Sequence, residues 1–313
     1  TANAVADCLK SRYSQACTEL VDINHMRSEK QTLEFTKMEA CGNDYIYVNC
    51  FNQKIDNPEG LSIRFADRHF GIGGDGVVLM YPSDVADVKM RMFNLDGTEG
   101  KMCGNAARCI AKYLIDNGIV NRDYVTIETL SGIRKVAVEK VNGVVSYATV
   151  DMGKAELNPA MIPVKLPGDT AIGVPTKVAD GRYRITCVSM GNPHCVVFSE
   201  DLDSPLDYLD LEKLGPKFEN DPLFPERVNT EFIKVLNPKT LKMRVWERGS
   251  GETMACGTGS SAALAAAVVN GRCENSARLI LRGGELMIEW DRDKNLIYMT
   301  GPAVTVYDGE LYI

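Results

Sequence analysis

Two cysteines, Cys103 and Cys256, stand 153 positions apart, each followed by a glycine at the head of a run that reads as a helix. The segments around them align as copies, FNLDGTEGKMCGNAARCIAKYLIDNG from Phe93 to Gly118 over WERGSGETMACGTGSSAALAAAVVNG from Trp246 to Gly271. An aromatic residue stands ten positions before each cysteine, Glu99 falls on Glu252, Gly104 on Gly257, and Asn117-Gly118 on Asn270-Gly271. A thiol can give up or accept a proton, and a duplicated thiol offers one such group to each face of a single carbon. That is the equipment of a racemase or epimerase.

The spacing places each cysteine at a helix N-terminus, where first-turn amides lack intrahelical partners and the macrodipole contributes partial positive charge. Both effects favour thiolate, so a free-thiol pKa of about 8.5 is expected to move toward neutral pH. The following glycine permits close backbone approach to a ligand, and the same amides form a site for a carboxylate. Two such mouths facing one another would grip one carboxylate and set its α-carbon between the sulfurs. Proton removal on one face and delivery on the other then inverts the centre without metal or cofactor. Either cysteine alone reads as a packing residue; the matched pair reads as chemistry.

Composition narrows the classes. The chain has 313 residues, 45% hydrophobic and 25% charged, with net charge −7. That balance is globular, the length allows two domains, and the negative charge argues against nucleic acid and acidic membranes as partners. No apolar run approaches the roughly 18 residues of a transmembrane helix. Ten cysteines without a CxxC pair, and only His25, His69 and His194, leave little for a metal site. Free thiols in a reducing cytoplasm are expected, with Cys8, Cys17, Cys50, Cys109, Cys187, Cys195 and Cys273 as small buried hydrophobes.

The elements that must position the thiols follow from periodicity. Residues 1–32 stand outside the repeat; Val5, Leu9, Ala16 and Leu20 have loosely helical spacing, and the segment receives no functional assignment. Short β-rich runs follow at Tyr45–Val48, Val77–Met80, Val88–Phe93, Tyr124–Thr129, Ile133–Val138 and Val144–Met152, with one helix from near Cys103 to Asn117-Gly118. The second half repeats the plan with runs at Tyr183–Ser189, Cys195–Phe198, Glu231–Leu236, Leu241–Trp246, Arg278–Leu281, Glu285–Trp290 and Leu296–Thr300. Its helix runs from Gly257 to Asn270 and is apolar nearly all round, hence internal. MGNPHCVVF from Met190 also overlies CGNDYIYVN from Cys41, a second anchor at nearly the same offset. The expected fold is α+β, two pseudo-symmetric domains, each a mostly antiparallel sheet wrapped around a central buried helix. The domains are placed at residues 33–150 and 151–301. The stretch 158–175 is either an opening strand pair or an insertion.

With these motifs in view, the chain from Phe35 onward resembles the diaminopimelate epimerases, a pyridoxal-phosphate-independent family. The resemblance is carried by CGND at Cys41, GIGGDG at Gly71, FNLDG at Phe93, CGNAAR at Cys103, GNPH at Gly191, RVN at Arg227, and ERGSGET at Glu247 leading into ACGTG at Ala255. It implies Cys103 and Cys256 as the acid–base pair of an enzyme interconverting LL- and meso-diaminopimelate in lysine and peptidoglycan precursor synthesis. Gly104, Asn105, Gly257 and Thr258 are implied to cradle the reacting carboxylate. Asn43, Asn94, Asn192 and Asn229 are implied to bind polar groups of the substrate. Glu247 is implied to take the distal ammonium, Arg248 the distal carboxylate, and His194 with Glu247 to tune thiol ionisation. The resemblance further implies no cofactor, a homodimer, and residues 302–313 returning to the first domain.

These roles suit the residue types, since asparagine both donates and accepts and the arginine fork matches a carboxylate. One departure is Gly76, where some family members carry a side-chain amide. GIGGDG also fits the dinucleotide fingerprint, but it follows a run read as helical, SIRFADRHF from Ser62 to Phe70, and precedes a strand rather than opening a helix; GTGSS lacks the lysine of a P-loop. Two rivals are weighed: a proline or hydroxyproline isomerase, whose substrate would leave Arg248 nothing to grip, and a redox module whose two cysteines form a regulatory disulfide.

Overall fold

The computed structural model describes residues 32–312, so the loosely helical spacing near Val5 to Leu20 lies outside the described residues. The first half runs β1 (Thr32–Ala40), β2 (Asn43–Asn49), α1 (Pro58–Phe65), β3 (Gly76–Tyr81), β4 (Val88–Asn94), β5 (Glu99–Gly100), α2 (Gly104–Asp116), β6 (Tyr124–Thr129), β7 (Gly132–Val141) and β8 (Val144–Gly153). The second runs β9 (Val174–Val178), β10 (Gly181–Ser189), β11 (Pro193–Phe198), α3 (Leu211–Glu219), β12 (Asn229–Asn237), β13 (Thr240–Glu247), β14 (Gly251–Glu252), α4 (Gly257–Val269), β15 (Ser276–Ile280), β16 (Glu285–Asp291), β17 (Leu296–Pro302) and β18 (Val304–Tyr312). The duplicated plan expected from the repeat is present.

Among the described residues pairing is mostly antiparallel, with four parallel exceptions: β2 with β3, β4 with β6, β11 with β12, and β13 with β15. Each exception brackets a helix, α1, α2, α3 and α4 in turn, because parallel neighbours need a crossover. The halves meet where β8 pairs with β17, antiparallel. β18 follows the second half in sequence yet pairs along β1 of the first, from Thr32 opposite Tyr312. β9 opens the second half as the antiparallel neighbour of β10.

Strand alternation divides the interior. Val78 and Met80 of β3 face the cluster around α2 and α4, whereas Val77 and Leu79 join Phe65 and Phe93 on the side of α1. In the second half Phe232 and Trp246 pack with Phe218 of α3 on the corresponding outer side. The aromatics ten residues before each thiol are therefore pinned beneath the short outer helices. Ser62 Oγ donates to the Phe93 carbonyl at 3.0 Å, and Trp246 Nε1 donates to Glu219 Oε2 at 2.7 Å.

Local chemistry sets the helix ends. Asn57 caps α1, with Pro58 in the first turn, so the helix begins before the expected SIRFADRHF run. It ends at Phe65, and Asp67 Oδ1 accepts from the amides of His69 and Phe70 in a tight turn. Asn117 and Asn270 end α2 and α4, each followed by a glycine at positive φ, 70° at Gly118 and 66° at Gly271. The 158–175 stretch holds one 3-10 turn, Pro159–Met161, and only the start of β9, so it is an insertion between β8 and β9 rather than a strand pair.

Candidate active site

Cys103 and Cys256 are the N-cap residues of α2 and α4, with backbone angles (φ, ψ) of −136°, 118° and −127°, 114°. The amide of Ala106 donates to Cys103 Sγ at 3.5 Å and that of Gly259 to Cys256 Sγ at 3.3 Å. Each sulfur thus fills the role usually held by a serine or aspartate oxygen. The two mouths adjoin: Asn105 Nδ2 donates both to Asn43 Oδ1 at 3.2 Å and to the carbonyl of Ala255 at 3.4 Å. Asn43 in turn accepts from the Cys103 thiol at 3.5 Å, and Ala255 immediately precedes Cys256.

Gly104 and Gly257 are small for a reason other than the expected approach of a ligand. A Cβ at Gly104 would stand 2.6 Å from Met299 Cε and 3.1 Å from Met152 Sδ, and one at Gly257 would stand 2.9 Å from Met299 Sδ. The same two methionines, from β8 and β17, plug the space behind both mouths. At Gly76 a Cβ would lie 2.0 Å from the Phe93 carbonyl, so this backbone path leaves no room for a side chain.

Around the first mouth, Asn43 Nδ2 donates to Asp75 Oδ2 at 2.6 Å, and Arg68 bridges Asp75 and Asp44. Asn94 stands apart from this set, its Nδ2 donating to Thr98 Oγ1 at 3.0 Å. Around the second mouth the polar groups form a chain. Glu231 Oε1 meets His194 Nδ1 at 2.7 Å, and His194 Nε2 meets Asn192 Oδ1 at 3.0 Å. Asn192 Nδ2 donates to Thr258 Oγ1 at 3.4 Å, and that hydroxyl lies 3.5 Å from Cys256 Sγ. His194 reaches the thiol through two intermediaries rather than directly. Glu247 accepts from the Thr253 hydroxyl, and its charge acts on the Cys256 thiol. Asn229 Oδ1 accepts from the Arg248 amide at 2.9 Å, and Arg248 Nη1 donates to the Glu226 carbonyl at 2.7 Å.

The expectation of thiols shifted toward neutrality is corrected. Desolvation raises Cys103, with the amides of Ala106 and Asn105 opposing it, and raises Cys256 well above the ordinary thiol value, with Glu247 and Glu231 adding to the rise. Burial outweighs the helix mouth. Burial also raises the Glu247 carboxyl, against the hydrogen bond from Thr253.

Glu231, Arg108, Thr253 and the two methionines were not singled out from the sequence. Glu231 carried the one available signal, an acidic residue inside the apolar run of β12, and it is fully buried. No group of three or more His, Cys, Asp or Glu suited to a metal ion occurs among the described residues.

The duplicated α+β scaffold is a fold this chain shares with solved structures, a named epimerase among them. The hydroxyproline epimerase of Agrobacterium vitis aligns over 90% of this chain and 91% of its own with TM-score 0.66 at 16% identity. A PhzF-family phenazine biosynthesis protein of Bacillus anthracis aligns over 90% of this chain and 100% of its own with TM-score 0.62 at 17% identity. Within that fold, the model of the diaminopimelate epimerase family matches residues 35–158 and 186–306. Proteins named diaminopimelate epimerase are similar throughout: that of Acetivibrio thermocellus is 50% identical over 279 residues, 89% of this chain and 98% of the relative. That of Desulfovibrio desulfuricans is 51% identical over 287 residues, 90% of this chain and 99% of the relative. The chain belongs to the diaminopimelate epimerase family.

Proposed function

We propose that this chain is an isomerase interconverting LL- and meso-2,6-diaminopimelate, independent of cofactor, in lysine and peptidoglycan precursor synthesis. One member of the Cys103–Cys256 pair, as thiolate, takes the α-proton from one face. The other, as thiol, delivers its proton to the opposite face, so the centre inverts and the pair exchanges its protonation. The amides of Gly104, Asn105, Gly257 and Thr258 hold the α-carboxylate and the charge that develops on it. Asn43, Asn94, Asn192 and Asn229 take polar groups of the substrate, with Glu247 at the distal ammonium and Arg248 at the distal carboxylate. His194 and Glu247 set the thiols' ionisation.

The observation that carries the reading is Asn105, whose one amide group ties the Cys103 side to the backbone beside Cys256. In deuterium oxide, the enzyme should place deuterium at the α-position of diaminopimelate with inversion and leave proline untouched. Exchange into proline alone would overturn the substrate assignment.

The working division is residues 33–150 with 302–313, and 151–301, supported by the β18–β1 pairing. We read the protein as a cytoplasmic homodimer. Exposed Val304, Val306, Tyr307 and Tyr312 on β18 offer apolar contact, and the eight cysteines among the described residues are all free. No helix among the described residues is long and apolar enough to cross a membrane.

A further inference from the structure

Asn43 meets Cys103 through an oxygen, and the group that turns that oxygen toward the thiol lies outside the helix mouth. Asn43 Oδ1 accepts from the Cys103 thiol at 3.5 Å and from Asn105 Nδ2 at 3.2 Å. The other end of the same amide, Nδ2, donates to Asp75 Oδ2 at 2.6 Å. Two acceptor-only groups terminate this chain: the Asp75 carboxylate at one end, and at the other the Ala255 carbonyl, which takes Asn105 Nδ2 at 3.4 Å. Each draws an NH2 group toward itself, so neither amide can turn over without setting two acceptors face to face. Cys103 Sγ already accepts from the Ala106 amide at 3.5 Å and meets Asn43 as an S–H donor.

Asp75 is held by its own backbone. In the loop between α1 and β3 its amide donates to the Asp44 carbonyl at 2.7 Å, and its carbonyl accepts from the Leu95 amide at 3.1 Å. Oδ2 also accepts from the Asp44 amide at 3.1 Å, and Oδ1 accepts from Arg68 Nη2 at 2.9 Å. The second mouth is built differently. The repeat lays Asn192 over Asn43, and the strand register sets Val228, buried in the outer apolar cluster, where Asp75 stands. Asn192 takes its orientation from His194 instead: Oδ1 meets Nε2 at 3.0 Å, and Nδ2 donates to Thr258 Oγ1 beside Cys256. One asparagine shows its thiol side an oxygen, the other an NH2 group.

We propose that Asp75 is a positioning residue for the proton transfer: its carboxylate fixes the Asn43 amide with the oxygen toward Cys103, which gives the thiol proton an acceptor and holds Asn105 across to the Cys256 side. This rests on the two-thiol reading above. Turned over, Asn43 would offer N–H to the sulfur, favour thiolate and lose its bond from Asn105.

The test is a double-mutant cycle on the full chain, with Asp75→Ala, Asn43→Ala and both together. It is read by kcat and by iodoacetamide alkylation of Cys103 over a pH series without substrate, followed by peptide mapping. Asp75→Ala should lower kcat about tenfold or more and move the Cys103 alkylation midpoint about one unit down in pH. In the Asn43→Ala background the same change should move neither quantity, because it acts through Asn43. Asp75→Asn keeps an oxygen for Asn43, since the Asp44 amide selects an acceptor at that place, and should leave both quantities near wild type. Glu247, Tyr45 and Tyr47 of β2, and Arg108 and Cys109 of α2 also act on or with Cys103, and they are common to every variant. Equal effects of Asp75→Ala in the two backgrounds, or an Asp75→Asn loss as large as that of Asp75→Ala, would mark a charge effect and overturn the proposal. If Asp75→Ala does not fold, Asp75→Asn decides alone: wild-type values support the proposal and a shifted midpoint overturns it. A fully active Cys103→Ser enzyme removes the two-thiol reading, whereas equal effects in an enzyme that needs Cys103 remove this inference alone.

Discussion

Gly259, the third residue of α4, offers a perturbation whose size can be worked from geometry. Its amide donates to Cys256 Sγ, and an alanine Cβ there would lie 2.6 Å from Glu231 Oε1, 3.2 Å from Cys256 Sγ and 3.3 Å from Cys256 Cβ. The oxygen contact is several tenths of an ångström too short, and Glu231 has nowhere to go: it is fully buried and held to His194 at 2.7 Å. Two effects oppose one another in stability. Alanine gains about 1 kcal/mol of helix propensity over glycine, whereas overpacking a closed site costs about 1–3 kcal/mol. The net loss is therefore at most about 2 kcal/mol, a fall of a few degrees in Tm. Catalysis has no such compensation, because relief must come from moving the Glu231–His194 pair or the thiol. A displacement of about 1 Å at a reacting group costs on the order of 10²-fold in rate. We expect Gly259→Ala to fold, melt within a few degrees of wild type, and lose roughly 10²-fold in kcat. Steady-state epimerisation alongside thermal unfolding reads both quantities. A variant with wild-type kcat would refute the placement of Glu231 against Cys256.

Cys103→Ser and Cys256→Ser should each retain the fold and lose inversion by about 10²–10⁴-fold, since a serine hydroxyl is too weak an acid to replace the thiol; full activity in either excludes that residue from proton transfer. Arg248→Lys should raise KM for diaminopimelate by about tenfold or more, because an ammonium cannot reproduce two parallel hydrogen bonds to a carboxylate. An unchanged KM removes Arg248 from the site. Glu247 raises both thiols, so in Glu247→Gln each ionises at lower pH. The acidic limb of kcat/KM, which reports the free enzyme, should then move to lower pH, with KM rising as the ammonium partner is lost. An acidic limb that stays in place or moves upward contradicts this electrostatic role.

The fold was legible where its causes are local. Asn-Gly pairs stop α2 and α4, and the apolar run VVLM and the alternation in VTIET are each written within one strand. The crossovers were not legible. β2 lies beside β3 in parallel only because α1 intervenes, and the asparagine cap that starts α1 precedes the run read as helical. α3 was missed for a physical reason: Gly215-Pro216 reads as a breaker. Yet Gly215 lies under the Trp246 ring, where a Cβ would stand 2.1 Å from the indole. That glycine serves a packing contact, and no local pattern records the partner.

The thiols were visible because two copies of one motif are far less probable by chance than one. Their ionisation was not, since desolvation depends on what the rest of the chain lays over the helix mouth. The mismatches within the repeat carry the remaining information. Tyr45 stands opposite His194, Val78 opposite Glu231, and Arg108 opposite Ser261. Perfect symmetry would give two thiols of equal proton affinity, with nothing to decide where a single proton rests between turnovers. Each mismatch adds charge or titratable capacity to one mouth and an uncharged group to the other. Carboxylate borders Cys256 in particular, where Glu231 and the thiol share one small space. Matching residues thus point to the chemistry, and the positions where the copies disagree make the two mouths electrostatically unequal.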